Sequence, residues 1–246
     1  MSANDRVSFI NDLEIYNDPA LTAAAASDSA TVNGGATVSY VANLTGEMKA
    51  RLQPNDVINS TLLAQLASDK KYPGRPMNRM KEWYDNYRTV LAQVGWTVQA
   101  FNMSEIGNSN SYGSVDKLVL QLAAAYLTGG ELALFQKMIT ALTESKNGNA
   151  VKIFDSKAGY FNDASFQVGV ASNSGGNAMF KIGTYQYNSS DRITSVLFFK
   201  FGSSKVSFFA GNQTMVLNEN VYAQVRAAVL EKLGANAKTL VLGIEI

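Results

Sequence analysis

The sequence predicts an α+β fold, a single-domain three-layer α/β/α sandwich with a mainly antiparallel sheet covered by helical hairpins. Apolar residues recur at helical spacing in several segments between residues 54 and 147, and mostly at every second position over residues 150–217. The later strands also carry aromatic residues on both faces. Because a water-soluble strand needs only one apolar face, both sides of this sheet are expected to be covered.

The first 35 residues are predicted to be an arm or linker, and residues 36–246 the sandwich domain. Residues 1–16 contain a small apolar patch that suits a short helix or a strand. Residues 17–35 are rich in Ala, Ser and Asp, which is typical of a loosely held arm, with a helix over 20–26 as the alternative. Either way, this stretch is a candidate for proteolytic trimming.

A strand and two helices are expected to follow the arm. Residues 36–44 are β-branched and aromatic, which favours a strand. Pro54 and Asn55 are suited to the start of a helix. Residues 77–95 carry an apolar stripe at helical spacing and end in Gly95, a typical helix stop.

A pair of amphipathic helices is predicted over residues 114–147. Ser114 is a suitable N-cap for the first, and apolar residues recur along both at helical spacing. Gly129 and Gly130 are interpreted as the turn between them.

Turn-forming sequences separate a series of predicted strands in the second half. Gly175 and Gly176 form one such turn. The predicted strands are 150–154, 165–172, 177–187, 193–201, 205–211 and 214–217. A helix over 219–234 and a strand over 238–246 complete the chain.

Composition narrows the classes of function. The chain has no cysteine and no histidine, so thiol chemistry and the commonest general base and metal ligand are missing. We therefore expect a non-enzymatic protein without catalytic residues, metal or cofactor. Its 21 basic and 20 acidic residues give no field that would attract nucleic acid.

No targeting segment is visible. The N-terminus lacks the basic start and apolar run of a secretory signal, and no run of 18 apolar residues occurs. The location of the protein is left open, and release by a non-classical route is compatible with the sequence.

Residues 96–103, WTVQAFNM, are also predicted to be a strand. The order strand, two helices, strand, helical hairpin, long antiparallel strands and final helix resembles the cytolytic delta-endotoxin (Cyt) family. Relatives of that family include volvatoxin and an Erwinia virulence factor. The resemblance is strongest over residues 115–233. It is carried by the helical hairpin and by Gly175-Gly176, Ile182-Gly183 and Val196-Leu197-Phe198-Phe199.

The resemblance implies a toxin-like protein that binds phospholipid membranes, oligomerises, and forms pores or disrupts the bilayer after its helical layer detaches. The implied inserting elements are 164–172, 177–187 and 191–201, continued by 205–210. The expected hinge or turn residues are the glycine pairs at 129–130 and 175–176. The expected membrane-contacting residues are Phe166, Val168, Val170, Phe180, Ile182, Ile193, Leu197, Phe198, Phe199, Phe208 and Phe209.

Two other functions stay open from the sequence. A non-lytic protein of the same fold would bind an acyl ligand between sheet and helices, or self-assemble into an ordered structure. A hydrolase that uses carboxylates is the weakest of the three.

Overall fold

A computed structural model describes residues 1–16, 30–33, 37–41, 54–75, 77–98, 101–144, 147–174, 177–236 and 241–243. The helices are Ala3–Asp12 (α1), Pro54–Lys71 (α2), Met80–Gln93 (α3), Val115–Ala123 (α4), Gly129–Ala141 (α5), Gly148–Ala158 (α6) and Glu219–Leu233 (α7). The strands are Ala30–Asn33 (β1), Thr37–Val41 (β2), Trp96–Val98 (β3), Ser104–Glu105 (β4), Gly159–Tyr160 (β5), Asp163–Ser174 (β6), Asn177–Ser189 (β7), Val206–Leu217 (β8) and Val241–Gly243 (β9).

All these strands belong to one sheet, in the order β3-β8-β7-β6-β2-β1-β9. Strand β4 also pairs with β8, and β5 with β6. Only the β2–β6 pairing is parallel among the described strands, so the predicted mainly antiparallel sheet is confirmed.

Helices cover both faces of the sheet, and each face has its own hydrophobic core. On the first face, α1, α2, α3 and α7 contribute Ile10, Leu62, Trp83 and Tyr222 to one core. On the second face, α4, α5 and α6 pack on the sheet in a separate core. The α/β/α sandwich is therefore confirmed, and the two covers explain the strands that are apolar on both sides.

Helix α2 is buried although it is rich in polar residues. Its side chains are buried from Asp56 to Ser68. The hydroxyl groups of Ser60, Thr61 and Ser68 donate to backbone carbonyls one turn earlier in the helix, at 2.7–2.8 Å. Because these hydroxyls are satisfied within the helix, it can lie in the interior without exposing them to water.

The predicted strand at 150–154 is wrong, because these residues lie in α6. The buried side chains of this helix are Ala150, Phe154 and Ala158, which are four residues apart. That spacing is one turn of a helix, and residues 150–154 alone are too short to reveal it.

The predicted strand at 191–201 is also wrong, because β7 ends at Ser189 and the third long strand is β8. Residues 190–205 form a loop whose ends meet, with the Ser190 N–H donating to the Lys205 carbonyl at 2.9 Å. This geometry is that of an Ω-loop. The separately predicted strands at 205–211 and 214–217 are one continuous strand.

The glycine pair at 129–130 is not the turn between α4 and α5. Gly129 and Gly130 are the first two residues of α5, and residues 124–128 form the turn. The pair Gly175 and Gly176 lies outside the described residues. Of the predicted N-terminal arm, α1 packs on α7 and β1 pairs with β2 and β9, whereas residues 17–29 are not described.

Candidate functional site

Three neighbouring strands form a long ribbon at the centre of the sheet. β6, β7 and β8 have 12, 13 and 12 residues, and each pairs along its full length with the next. A strand needs roughly 9–11 residues to cross a bilayer, so each of these is long enough.

The second face of the ribbon is strongly apolar. Its side chains from β6, β7 and β8 belong to the core under α4–α6 and are almost completely buried. They are Phe166, Val168, Val170, Tyr185, Tyr187, Phe208 and Ala210. Aromatic contacts run across the strands, with the Tyr187 and Phe208 rings stacked at 5.7 Å and Phe166 and Tyr185 at 5.3 Å.

The first face of the same ribbon carries a band of polar side chains among its apolar ones. Gln167, Thr184, Gln186 and Gln213 lie on this face and are buried beneath α2 and α3. The first face of the ribbon is therefore mixed, and the second is apolar under α4–α6 but also carries Ser172 and Lys181, so only part of the ribbon shows the alternation of a transmembrane barrel strand. The predicted membrane-contacting residues Phe180, Ile182 and Phe209 lie on the mixed face.

The loop 190–205 packs against the second core next to the start of α4. Leu197 and Phe201 are buried there, and Val115 and Phe201 donate their N–H groups to the carbonyls of Phe199 and Gly113 at 3.0 Å. The predicted site residues in this loop are therefore core-filling in the folded molecule. Leu197 and Phe199 are buried, whereas Ile193 and Phe198 pack on this core partly buried.

An acid from α6 holds the same loop. The Val196 N–H donates to Oδ1 of Asp155 at 2.8 Å, and the Tyr187 hydroxyl donates to the Val196 carbonyl at 2.7 Å. Burial raises the pKa of Asp155, although the hydrogen bonds from Val196 and Ser195 oppose this shift. The carboxylate thus loses part of its solvation where it fixes the loop.

The turn between α4 and α5 docks on β7 through a tyrosine. The Tyr126 and Tyr185 hydroxyls are 3.2 Å apart, and Tyr126 lies over Gly183. A Cβ at position 183 would come within 2.5 Å of the Tyr126 hydroxyl, so only glycine leaves room for it. Burial raises the pKa of Tyr126 to about 12, so this pair is neutral at physiological pH.

A partly buried ion pair fastens the start of α5 to the same strand. Glu131 accepts from the Lys181 ammonium at 2.7 Å and from the Ser172 hydroxyl at 3.0 Å, while its Oε2 caps α5 by accepting from Thr128. Burial opposes ionisation of Glu131, but these hydrogen bonds outweigh it and lower the pKa to about 2. We call Tyr126, Thr128 and Glu131, with their partners on β6 and β7, the corner latch.

The first-face helices are attached by polar contacts to β6 and β8, the two outer strands of the ribbon. Gln65 of α2 donates to Gln167 at 2.8 Å, and the Tyr84 hydroxyl of α3 donates to Gln213 at 2.6 Å. Arg75, between these helices, pairs with Asp69 at 2.7 Å and donates to the Ser165 carbonyl. In contrast, the side-chain hydrogen bonds that join the α4–α5 hairpin to the ribbon are concentrated at the corner latch.

Sequence reasoning found the aromatic ribbon residues but missed the latch. Tyr126 and Glu131 are close in the sequence, but their partners Tyr185 and Lys181 lie 59 and 50 positions further along the chain. The capping pattern Thr128–Glu131 is the one sequence signal for this site, because it places a Glu at the start of a helix.

The described residues include no helix that is long and apolar enough to cross a bilayer. Nor do these residues bring together three or more acidic side chains that could hold a metal ion.

No protein-family model and no curated protein matches the chain. The solved structures that are similar to it in fold include a virulence factor and a delta-endotoxin. The Evf virulence factor is 14% identical over 96% of this chain and 90% of its own, with a TM-score of 0.38. A delta-endotoxin is 10% identical over 83% of this chain and 89% of its own, with a TM-score of 0.42.

Proposed function

We propose that this chain is a membrane-disrupting, toxin-like protein that binds phospholipid bilayers and inserts β6, β7 and β8. The observation that carries the proposal is the ribbon of three strands of spanning length, whose second face has an apolar stretch hidden under α4–α6. The apolar stretch of the second face would meet lipid, and the first face, with Gln167, Thr184 and Gln213, would meet water.

The helical hairpin α4–α5 is the cover that detaches first in this proposal. It shields the face that would meet lipid, and its polar attachment is concentrated at the corner latch. Breaking this one local group of polar contacts would therefore leave the hairpin held mainly by apolar packing, whereas α2 and α3 would keep separate polar contacts to β6 and β8.

Pore formation would require several copies of the chain. Transmembrane barrels have at least about 8 strands, and one copy supplies three of this length. The proposal therefore includes a homo-oligomer in the membrane. It assigns the chain no catalytic role, no cofactor and no nucleic-acid partner.

A reversible cross-link across the corner latch tests the proposal. The variant E131C/K181C loses the ion pair, and because the native chain has no cysteine, a short bis-thiosulfonate reagent joins only these two positions. We expect the unlinked variant to release dye from phosphatidylcholine vesicles faster than the wild type. The linked variant should be inactive until a reductant restores it.

The single variant E131C treated with the same reagent controls for modification, and E231Q controls for loss of an exposed acid. Equal dye release by the linked and reduced forms would show that the hairpin need not leave. Intact vesicles with every form, before and after mild protease treatment, would refute membrane disruption itself.

A further inference from the structure

A cleft lies on the first face between α3, residues 101–103 and the ribbon. Its volume is about 330 Å³, within the usual range of small-molecule sites. The walls are largely apolar, and the floor comes from neighbouring positions of β7 and β8. The residues that matter most are Met80, Tyr84, Phe101, Met103, Gln186 and Phe209.

Gln186 stands out among the glutamines of the first face. It is 4% exposed, it lines this cleft and the adjacent one of about 280 Å³, and its side chain makes no hydrogen bond to any described residue. By contrast, Gln167 bonds Gln65 and Thr184, and Gln213 accepts from Tyr84. Its amide atoms open onto these clefts, so they can form hydrogen bonds with a molecule from outside the chain.

Flat aromatic surface lines the cleft beside this amide. The Tyr84 and Phe101 rings are stacked with centroids 3.8 Å apart, and Phe209 is next to Gln186 on the adjoining strand. The stacked wall depends on Gly211, because a Cβ there would come within 2.6 Å of the Asn102 carbonyl and 2.7 Å of Phe101. The backbone thus brings the aromatic wall close to the ribbon.

The charges at the cleft neutralise each other. Lys81 and Asp85 are the charged residues that line it, and they form an ion pair at 2.7 Å. A neutral ligand therefore fits the site better than an ion. A primary amide side chain presents a donor and an acceptor side by side, which matches the same arrangement in another amide.

We propose that this cleft binds a small neutral molecule with a flat apolar ring and an amide-type edge. The ring would lie against Phe101 and Phe209, and the edge would form paired hydrogen bonds with Gln186. Ligand binding in this cleft does not require membrane insertion, so a failed test of the cleft would leave the proposed function untouched, and the reverse also holds.

Benzamide and toluene test the site, because they share a ring but only benzamide has the amide edge. We expect chemical-shift titration of the full chain to show benzamide binding about tenfold more tightly than toluene, the difference that one or two net hydrogen bonds supply. In Q186M, which keeps the side-chain length, this preference should disappear. In Q224M, which changes an exposed glutamine of α7, it should persist.

Thermal unfolding gives an independent reading. Because the Gln186 side chain makes no hydrogen bond to any described residue, Q186M breaks none within the protein, and its Tm should equal or exceed that of the wild type. A second variant, M103W, should fill the cleft and abolish benzamide binding with Gln186 intact. Absence of benzamide binding, an equal preference in Q186M, or a clear fall in the Tm of Q186M would each overturn the proposal.

Discussion

The glutamines on the first face of the ribbon have different roles. Gln167 and Gln213 join helices to strands, whereas Gln186 faces a cleft. The sequence shows that polar residues interrupt apolar strands, and β alternation predicts their shared face. It does not show their partners, because those come from helices more than 100 positions away in the chain.

At the scale of a residue, Glu131 predicts how the latch responds to acid. The pKa of Glu131 is about 2 in the folded protein, below its ordinary value of 4.5. The contribution of ionised Glu131 to folding stability is therefore complete above about pH 4.5 and is lost as the pH falls toward about 2. We therefore expect equal dye release by the wild type at about pH 7 and about pH 5, well above the folded pKa.

The matched measurement uses E131Q, which should release more dye than the wild type at both pH values because its ion pair with Lys181 is gone. A wild type that becomes active only at about pH 5 would show that another titrating group controls opening.

At the scale of an element, helices were predictable wherever periodicity extends over several turns. The spans of α2, α3 and α7 follow from the apolar stripes and from Pro54 and Gly95. The strand predicted over residues 191–201 is wrong, because the apolar residues there pack into the second core from a loop and do not pair as a strand. Backbone contacts to residues 113–115 determine that loop, and no local pattern reports them.

The α4–α5 turn predicts opposite outcomes for two glycine substitutions. G183A would force the Tyr126 hydroxyl away from β7, so we expect a lower Tm and faster dye release. The measurements are thermal unfolding and vesicle leakage on the same preparation.

G130A is the matched control, because Gly130 lies in the first turn of α5 with open space around its Cβ position. Alanine should stabilise the helix there by roughly 0.5–1 kcal/mol and leave leakage no faster than in the wild type. A G130A variant that is less stable, or that leaks faster, would restore Gly130 to its predicted role as a hinge.

At the scale of the whole molecule, the layered architecture was predictable from the change in apolar period and from strands that need two covers. The sequence does not predict which helices cover which face, because that depends on the order of the strands in the sheet. In particular, the parallel pairing of β2 with β6 places residues 37–41 beside residues 167–171. Pairing between such distant segments leaves no local trace in the sequence.

The near-zero net charge gives a prediction for the whole molecule. With 21 basic and 20 acidic residues, long-range attraction to anionic lipid is absent, so membrane binding must come from apolar contact. Dye release should change less than about twofold between roughly 0.05 M and 0.5 M salt, although the Debye length shortens severalfold. A steep loss of activity with added salt would point instead to a local basic surface as the binding site.

The pairing of β1 with β9 has a consequence for biosynthesis. Residues 30–33 are synthesised about 210 residues before their partners at 241–243. Until then one border of the sheet is open, and an unpaired strand there can join another nascent chain. We infer that a chaperone which shields this border during translation would raise the yield of monomeric protein.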